Sequence, residues 1–255
     1  ITLCDDITVT LTPGRASRAE SNLRFVPCDE RNLAVRAANV FFAETGIGNM
    51  GAHIKMQKRI PVGAGMAGGS SDAAAVLRAL NKLCGAGLDR VRLEQLAAYI
   101  GSDVAFCVCG GTQLASGRGE LLSPLPSMPE CGVVVCKPDF SVSTPELFRR
   151  LDAVKLRCHP DTQGIIELLH EGDLPKIARR MYNVFEDVPD RRHNEIAAIK
   201  SKMLDCGALG AVMTGTGSAV FGLYDDEKAV ERSVRALRRE WRCVTPAKIM
   251  PRIDV

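Results

Sequence analysis

The stretch Pro61-Val62-Gly63-Ala64-Gly65-Met66-Ala67-Gly68-Gly69-Ser70-Ser71-Asp72 runs straight into Ala73-Ala74-Ala75-Val76-Leu77-Arg78-Ala79-Leu80, so a glycine-dense turn meets a helical pattern without a spacer. Four glycines between Gly63 and Gly69 would be costly as mere connection, because glycine has the most backbone freedom to lose on folding. What they permit is close approach of main-chain N–H groups to an anion. A helix beginning near Ser70 adds unpaired N–H groups and the positive end of its dipole. The stretch reads as a phosphate cradle, against the plainer alternative of a flexible connection capped by Ser70 or Ser71.

Two familiar phosphate motifs fail on context. Residues 63–68 satisfy G-x-G-x-x-G, but a dinucleotide-binding unit needs a second strand ending in an acidic residue about 20 positions on, and here a glycine turn and another helix follow Cys84. For a Walker A loop, Gly69 stands where the lysine is required. Any phosphate is therefore held by backbone N–H groups and hydroxyls.

Outward from the loop, His53 to Lys58 alternates as a strand, which gives the order strand, loop, helix. Residues 1–11 read as a strand ended by Pro13-Gly14, and Arg24 to Val26 as a short second one. Asp29 is placed as N-cap of a helix carrying Leu33, Ala34, Ala37, Ala38, Phe41 and Phe42, with Asn32 in its first turn and Gly46 as its stop. Asp89 caps a helix closed by Gly101. Asp103 then enters the apolar run Val104 to Cys109, expected to be a buried strand, where a carboxylate must be paired or do chemistry.

The proline-rich stretch 124–129 marks the expected boundary between domains 1–127 and 128–255. Beyond it, Gly132 to Cys136 is a strand, and residues 141–145 an extended loop before Phe148. Helices follow around 162–170, 174–185 and 194–206. Gly210 to Gly222 gives strand, small-residue turn, strand. Asp225 or Asp226 caps a helix over 229–240 with a basic outer face, and Val244 to Val255 is expected to return as an edge strand.

Composition narrows the classes. In 255 residues, 46% are hydrophobic and 25% charged, ordinary for a globular protein, and a net charge of +3 with one Trp and three Tyr implies no nucleic-acid partner. The ten cysteines include no C-x-x-C pair and fall mostly in apolar runs, so they read as buried thiols in a reducing compartment without structural zinc. No apolar stretch approaches the roughly 20 residues of a membrane span. Ile1 opens the chain as though inside a sheet.

Taken jointly, the loop 61–75, Asn32-Leu33, Gly101-Ser102-Asp103-Val104-Ala105-Phe106, Asn183-Val184-Phe185-Glu186 and Met213 to Phe221 closely resemble the GHMP kinases, in the family's order and over nearly the whole chain. The resemblance implies an α+β, two-domain fold: an N-terminal domain like ribosomal protein S5 domain 2 and a ferredoxin-like C-terminal domain. It implies that Pro61, Gly63, Ala64, Gly65, Met66, Ala67, Gly68, Gly69, Ser70 and Ser71 bind the ATP phosphates, that Asn32 lines the adenine pocket, and that Asp103 is the catalytic aspartate, orienting or deprotonating the acceptor hydroxyl. Mg²⁺ should accompany ATP, with Ser71 a candidate ligand. Thr144 and Phe148 match positions that receive a cytidine, and Thr214, Gly215, Thr216 and Gly217 match the turn that closes the site.

Within the family, the likeness points to the branch that phosphorylates the 2-hydroxyl of a diphosphocytidyl methylerythritol in non-mevalonate isoprenoid precursor synthesis. The alternatives are another small-alcohol kinase of the family, or a nucleotide-binding protein without kinase activity. That last reading arises because the family's first motif, an N-terminal Lys and Asn followed by Gly-Tyr-His, has no counterpart here; an absent N-terminal segment is the expected cause. A monomer or weak homodimer is expected, with no membrane partner, in a bacterial cytoplasm or plastid stroma. Ala67 replaces a usual glycine, which implies strain if its φ is positive.

Overall fold

A computed structural model describes residues 1–250 except Arg157 and Pro189. The chain divides into two compact units: one of residues 4–60 and 67–125, the other of residues 1–3, 61–66 and 126–250. The glycine turn up to Met66 thus belongs with the C-terminal half, and the helix that follows belongs with the N-terminal half.

In the N-terminal unit, β1 (Asp6–Pro13) pairs antiparallel with β3 (Met50–Gln57), and β2 (Arg18–Ser21) pairs parallel with the other side of β3. Helices α1 (Leu33–Thr45), α2 (Gly68–Leu83), α3 (Arg90–Ile100) and α4 (Ser102–Cys109) share a core with this sheet, including Phe41, Ile54, Leu77, Leu80, Leu93 and Val104. A hairpin of β4 (Gln113–Ser116) and β5 (Leu121–Pro124) completes the unit. Asp89 caps α3 through the Arg92 amide, and Gly46 closes α1 at φ 67°, both as the sequence implies.

The C-terminal unit has one four-stranded sheet in the order β7-β8-β6-β9, formed by β6 (Gly132–Lys137), β7 (Gly210–Met213), β8 (Val220–Tyr224) and β9 (Cys243–Lys248), with every pairing antiparallel. Helix α8 (His193–Asp205) precedes β7 and α9 (Glu227–Leu237) precedes β9. Strand, helix, two strands, helix, strand with this order is the ferredoxin-like arrangement. Alternation along β6 splits the core. Val134 and Cys136 face Ile199, Met203 and Leu237 beneath α8 and α9, while Val133 and Val135 face the opposite layer. That second layer holds α7 (Leu174–Arg180) and Ala64 of the glycine turn. Helices α5 (Thr144–Asp152) and α6 (Thr162–Glu171) and a 3₁₀ turn, Val184–Asp187, fill the connection from β6 to α8.

Several expectations need correction. Residues 104–109 form helix, not strand: Val104, Ala105, Val108 and Cys109 are buried while Asp103 and Phe106 are exposed, a helical period that an unbroken apolar run conceals. Arg24 to Val26 is not a strand; the pairing strand is Arg18–Ser21. The N-cap of α1 is Asn32 rather than Asp29, whose carboxylate bonds the Arg31 side chain and amide. Neither Ser70 nor Ser71 caps α2, which begins earlier, at Gly68. Thr144–Asp152 is helical with Pro145 in its first turn, where a missing N–H costs nothing. The helix expected over 174–185 stops at Arg180. The returning edge strand is present as β9 and ends at Lys248; Ile249 and Met250 do not continue it, and residues 251–255 lie outside the described residues.

Candidate active site

The two halves of the glycine-rich stretch are built differently. In the C-terminal unit, Gly63 and Gly65 take φ of 63° and 71°, and Gly65 lies against the backbone of the turn after β7: a Cβ there would come 2.2 Å from the Thr214 carbonyl oxygen. Gly215 in turn faces the Gly65 carbonyl, where a Cβ would come within 2.9 Å. Two glycine turns therefore approach main chain to main chain, which side chains at those positions would prevent. The Thr214 hydroxyl donates to Gly65 O at 3.0 Å, and the Ala219 N–H donates to Ala64 O at 3.1 Å. Thr144 and Thr216 share a hydroxyl hydrogen bond of 2.9 Å. The structure thus brings Gly65, Thr144 and the 214–217 turn together. Phe148 is 50% exposed and meets Phe185 edge to face, with centroids 5.0 Å apart, leaving ring surface open for a planar ligand.

In the N-terminal unit, α2 starts from Ala67 in the left-handed region, φ 51° and ψ 28°, without a side-chain cap. The first helical bond runs from Ser71 N–H to Ala67 O at 2.9 Å. The N–H groups of Gly68, Gly69 and Ser70 precede it and point out of the helix end, as an anion site requires. Gly69 is flanked by Leu33, 3.7 Å from where a Cβ would sit. Asn32, 8% exposed, spends its side chain internally: Oδ1 accepts from Ala34 N–H at 2.9 Å and Nδ2 donates to Pro27 O at 2.7 Å. It is a helix cap first, and it shapes the loop before α1. Asp103 stands in the first turn of α4, solvent-exposed. Its carboxylate has no ion pair among the described residues. Burial pushes the Cys107 thiol one turn away up to about 11, with the Asp103 charge adding to the effect.

Sequence reasoning missed the charged cluster that seats α2. Lys58 Nζ lies between Asp5 and Asp72, 2.6 Å from Asp72 Oδ2, with all three side chains almost wholly buried. Asp5 also accepts from the Ile60 N–H at 2.8 Å. Burial works against the Asp5 anion, but the bonds from Lys58 and from the Arg59 and Ile60 amides outweigh it and lower its pKa. For Asp72 burial wins and raises the pKa to about 6, and its Oδ1 has no hydrogen-bond partner. Two carboxylates share one ammonium, so one of them is poorly served. The signal was present as Lys58 just before Pro61 and Asp72 just after Ser71, but nothing local pointed to Asp5.

Two domain descriptions of the GHMP kinases match this chain, the N-terminal one over residues 32–111 and the C-terminal one over residues 165–243. The chain belongs to the GHMP kinase family. Among relatives of this GHMP kinase, one from Bacillus velezensis named 4-diphosphocytidyl-2-C-methyl-D-erythritol kinase is 45% identical over 238 residues, 93% of this chain and 82% of the relative. The relative of the same name from Bacillus subtilis is 45% identical over 240 residues, again 93% and 82% of the two chains. A crystal structure of 4-(cytidine 5'-diphospho)-2C-methyl-D-erythritol kinase superposes with a TM-score of 0.76 at 32% identity, covering 95% of this chain and 85% of that one. As a GHMP kinase the chain takes ATP as its phosphoryl donor.

Proposed function

We propose that this kinase transfers the γ-phosphoryl group of ATP to the 2-hydroxyl of 4-diphosphocytidyl-2-C-methyl-D-erythritol. The observation that carries the reading is the 45% identity, over 93% of the chain, to relatives bearing that enzyme's name. The geometry agrees with it. Main-chain N–H groups of residues 62–71, among them those of Gly68, Gly69 and Ser70 at the head of α2, receive the phosphate oxygens, and Ala67 holds the backbone angle that turns them outward. Asp103 accepts the proton of the substrate hydroxyl or orients it, a task suited to an exposed carboxylate with no competing partner. Phe148 offers its open face to the cytosine beside Thr144, and the 214–217 turn closes the site and supports the phosphate loop. Residues 1–127 act as the ATP-binding domain and 128–255 as the C-terminal domain.

Mg²⁺ bound to the phosphates would neutralise their charge, and the Ser71 hydroxyl, within the first turns of α2, is the protein group that would reach it. Most of the rate acceleration then comes from positioning and charge stabilisation rather than covalent chemistry. The bacterial relatives favour a cytoplasmic setting, and no helix among the described residues is long and apolar enough to cross a membrane. A substrate panel tests the assignment. The protein should phosphorylate the cytidyl substrate at least ~100-fold more efficiently than mevalonate or homoserine, about 3 kcal/mol of discrimination. Equal or reversed preference would overturn it.

A further inference from the structure

The chemistry proposed for the candidate site leaves Asn183 to Glu186 without a role, yet this short segment touches both ends of the C-terminal half of the site. Asn183 Oδ1 accepts from Phe185 N–H at 3.0 Å, and Nδ2 donates to Met213 O and Gly215 O, each at 2.8 Å. An acceptor facing an N–H and a donor facing two carbonyls leave only one orientation of the amide. Glu186 Oε1 accepts from Met213 N–H at 2.8 Å, while Oε2 pairs with Lys200 of α8. Residues 213 and 215 are thus held on both sides of Thr214, whose hydroxyl bonds Gly65 of the phosphate turn. Between the two clamping residues, Phe185 sets its ring at 81° to Phe148.

We infer that Asn183, Phe185 and Glu186 form a brace with two separable positioning duties: Asn183 and Glu186 hold the Thr214 turn against the phosphate loop, and Phe185 fixes the ring of Phe148 for the cytidine base. The inference rests on the function proposed above for the identity of the base, and its two halves predict opposite specificity of damage. Asn183→Asp is nearly isosteric but places a carboxylate against two carbonyl oxygens, so it should release the turn. Phe185→Leu removes the aromatic edge while keeping an apolar side chain in place.

Two binding measurements test this without requiring turnover: affinity for Mg²⁺ with a non-hydrolysable ATP analogue, and affinity for cytidine diphosphate. Asn183→Asp should weaken the ATP analogue at least tenfold and leave cytidine diphosphate within twofold. Phe185→Leu should weaken cytidine diphosphate about fivefold and leave the ATP analogue within twofold. Thr214→Val should reproduce the Asn183→Asp loss, and the double variant should lose less than the sum, as residues acting through one contact do. Parallel loss of both ligands in either variant, or full additivity with Thr214→Val, would overturn the brace as a merely structural feature. Wild-type protein that binds cytidine diphosphate but does not phosphorylate the cytidyl substrate would instead overturn the function proposed above and leave these results standing.

Discussion

Asp72 lies in the second turn of α2 and Asp103 in the first turn of α4, and they have opposite surroundings. Asp72, 3% exposed, is locked to Lys58 beside Asp5 inside the N-terminal unit, with its pKa raised to about 6. Asp103 is open to solvent at the start of α4 and has no ion pair among the described residues. A buried, paired carboxylate can anchor a helix but cannot meet a substrate hydroxyl. A free one at a helix start can do the second and contributes little to the first. The difference separates what holds α2 in place from the carboxylate proposed to act on the acceptor.

The largest structural effect should come from Lys58→Ala, which leaves two buried carboxylates facing each other without their cation. Chemical denaturation should show a loss of about 3–5 kcal/mol. A loss below ~1 kcal/mol would mean the cluster is not what seats α2.

Asp72→Asn sharpens the contrast through pH. Because folding raises the pKa of Asp72, the folded state holds that proton more tightly than the unfolded chain. The resulting stabilisation is full below the usual carboxylate range and disappears as pH rises through about 6. Asp5, with its pKa lowered, acts in the opposite sense, stabilising above the carboxylate range and losing that as pH falls. Asp72→Asn leaves one carboxylate for one ammonium, so relative to wild type it should gain roughly 2–3 kcal/mol between pH 4 and pH 7. Urea midpoints measured across that window check it, and parallel pH curves for the two proteins would refute it.

Smallest is Ala67→Gly. Relief of the left-handed strain at φ 51° is worth about 1–2 kcal/mol and is partly offset by glycine's greater chain entropy. A net gain under ~1 kcal/mol, a rise in Tm of about 2 °C, is expected.

Much of this was legible in sequence because the signals were local. The glycine turn, the helix behind it, the Asp89 cap and the strand–turn–strand at 210–222 each declare themselves within a dozen residues. Ala67 was readable as a strained position, and it does carry a positive φ. What stayed hidden depends on partners far apart in the chain. Asp5 meets Lys58 and Asp72 only through the fold, and β2 is set by pairing with β3 rather than by its own pattern. The stretch 104–109 was misread because uniform apolarity erases the period that separates helix from strand. Asp103 is legible in the sequence as a candidate, but that it has no ion pair among the described residues is seen only in three dimensions.

The measurement that bears most directly on the contrast is turnover and ATP affinity of the Asp103→Asn variant. Phosphoryl transfer should fall at least ~1000-fold, with affinity for the ATP analogue within a few-fold of wild type, because the carboxylate acts on the acceptor and not on the nucleotide. Turnover near wild type, or a matching collapse of nucleotide binding, would contradict the role assigned to it.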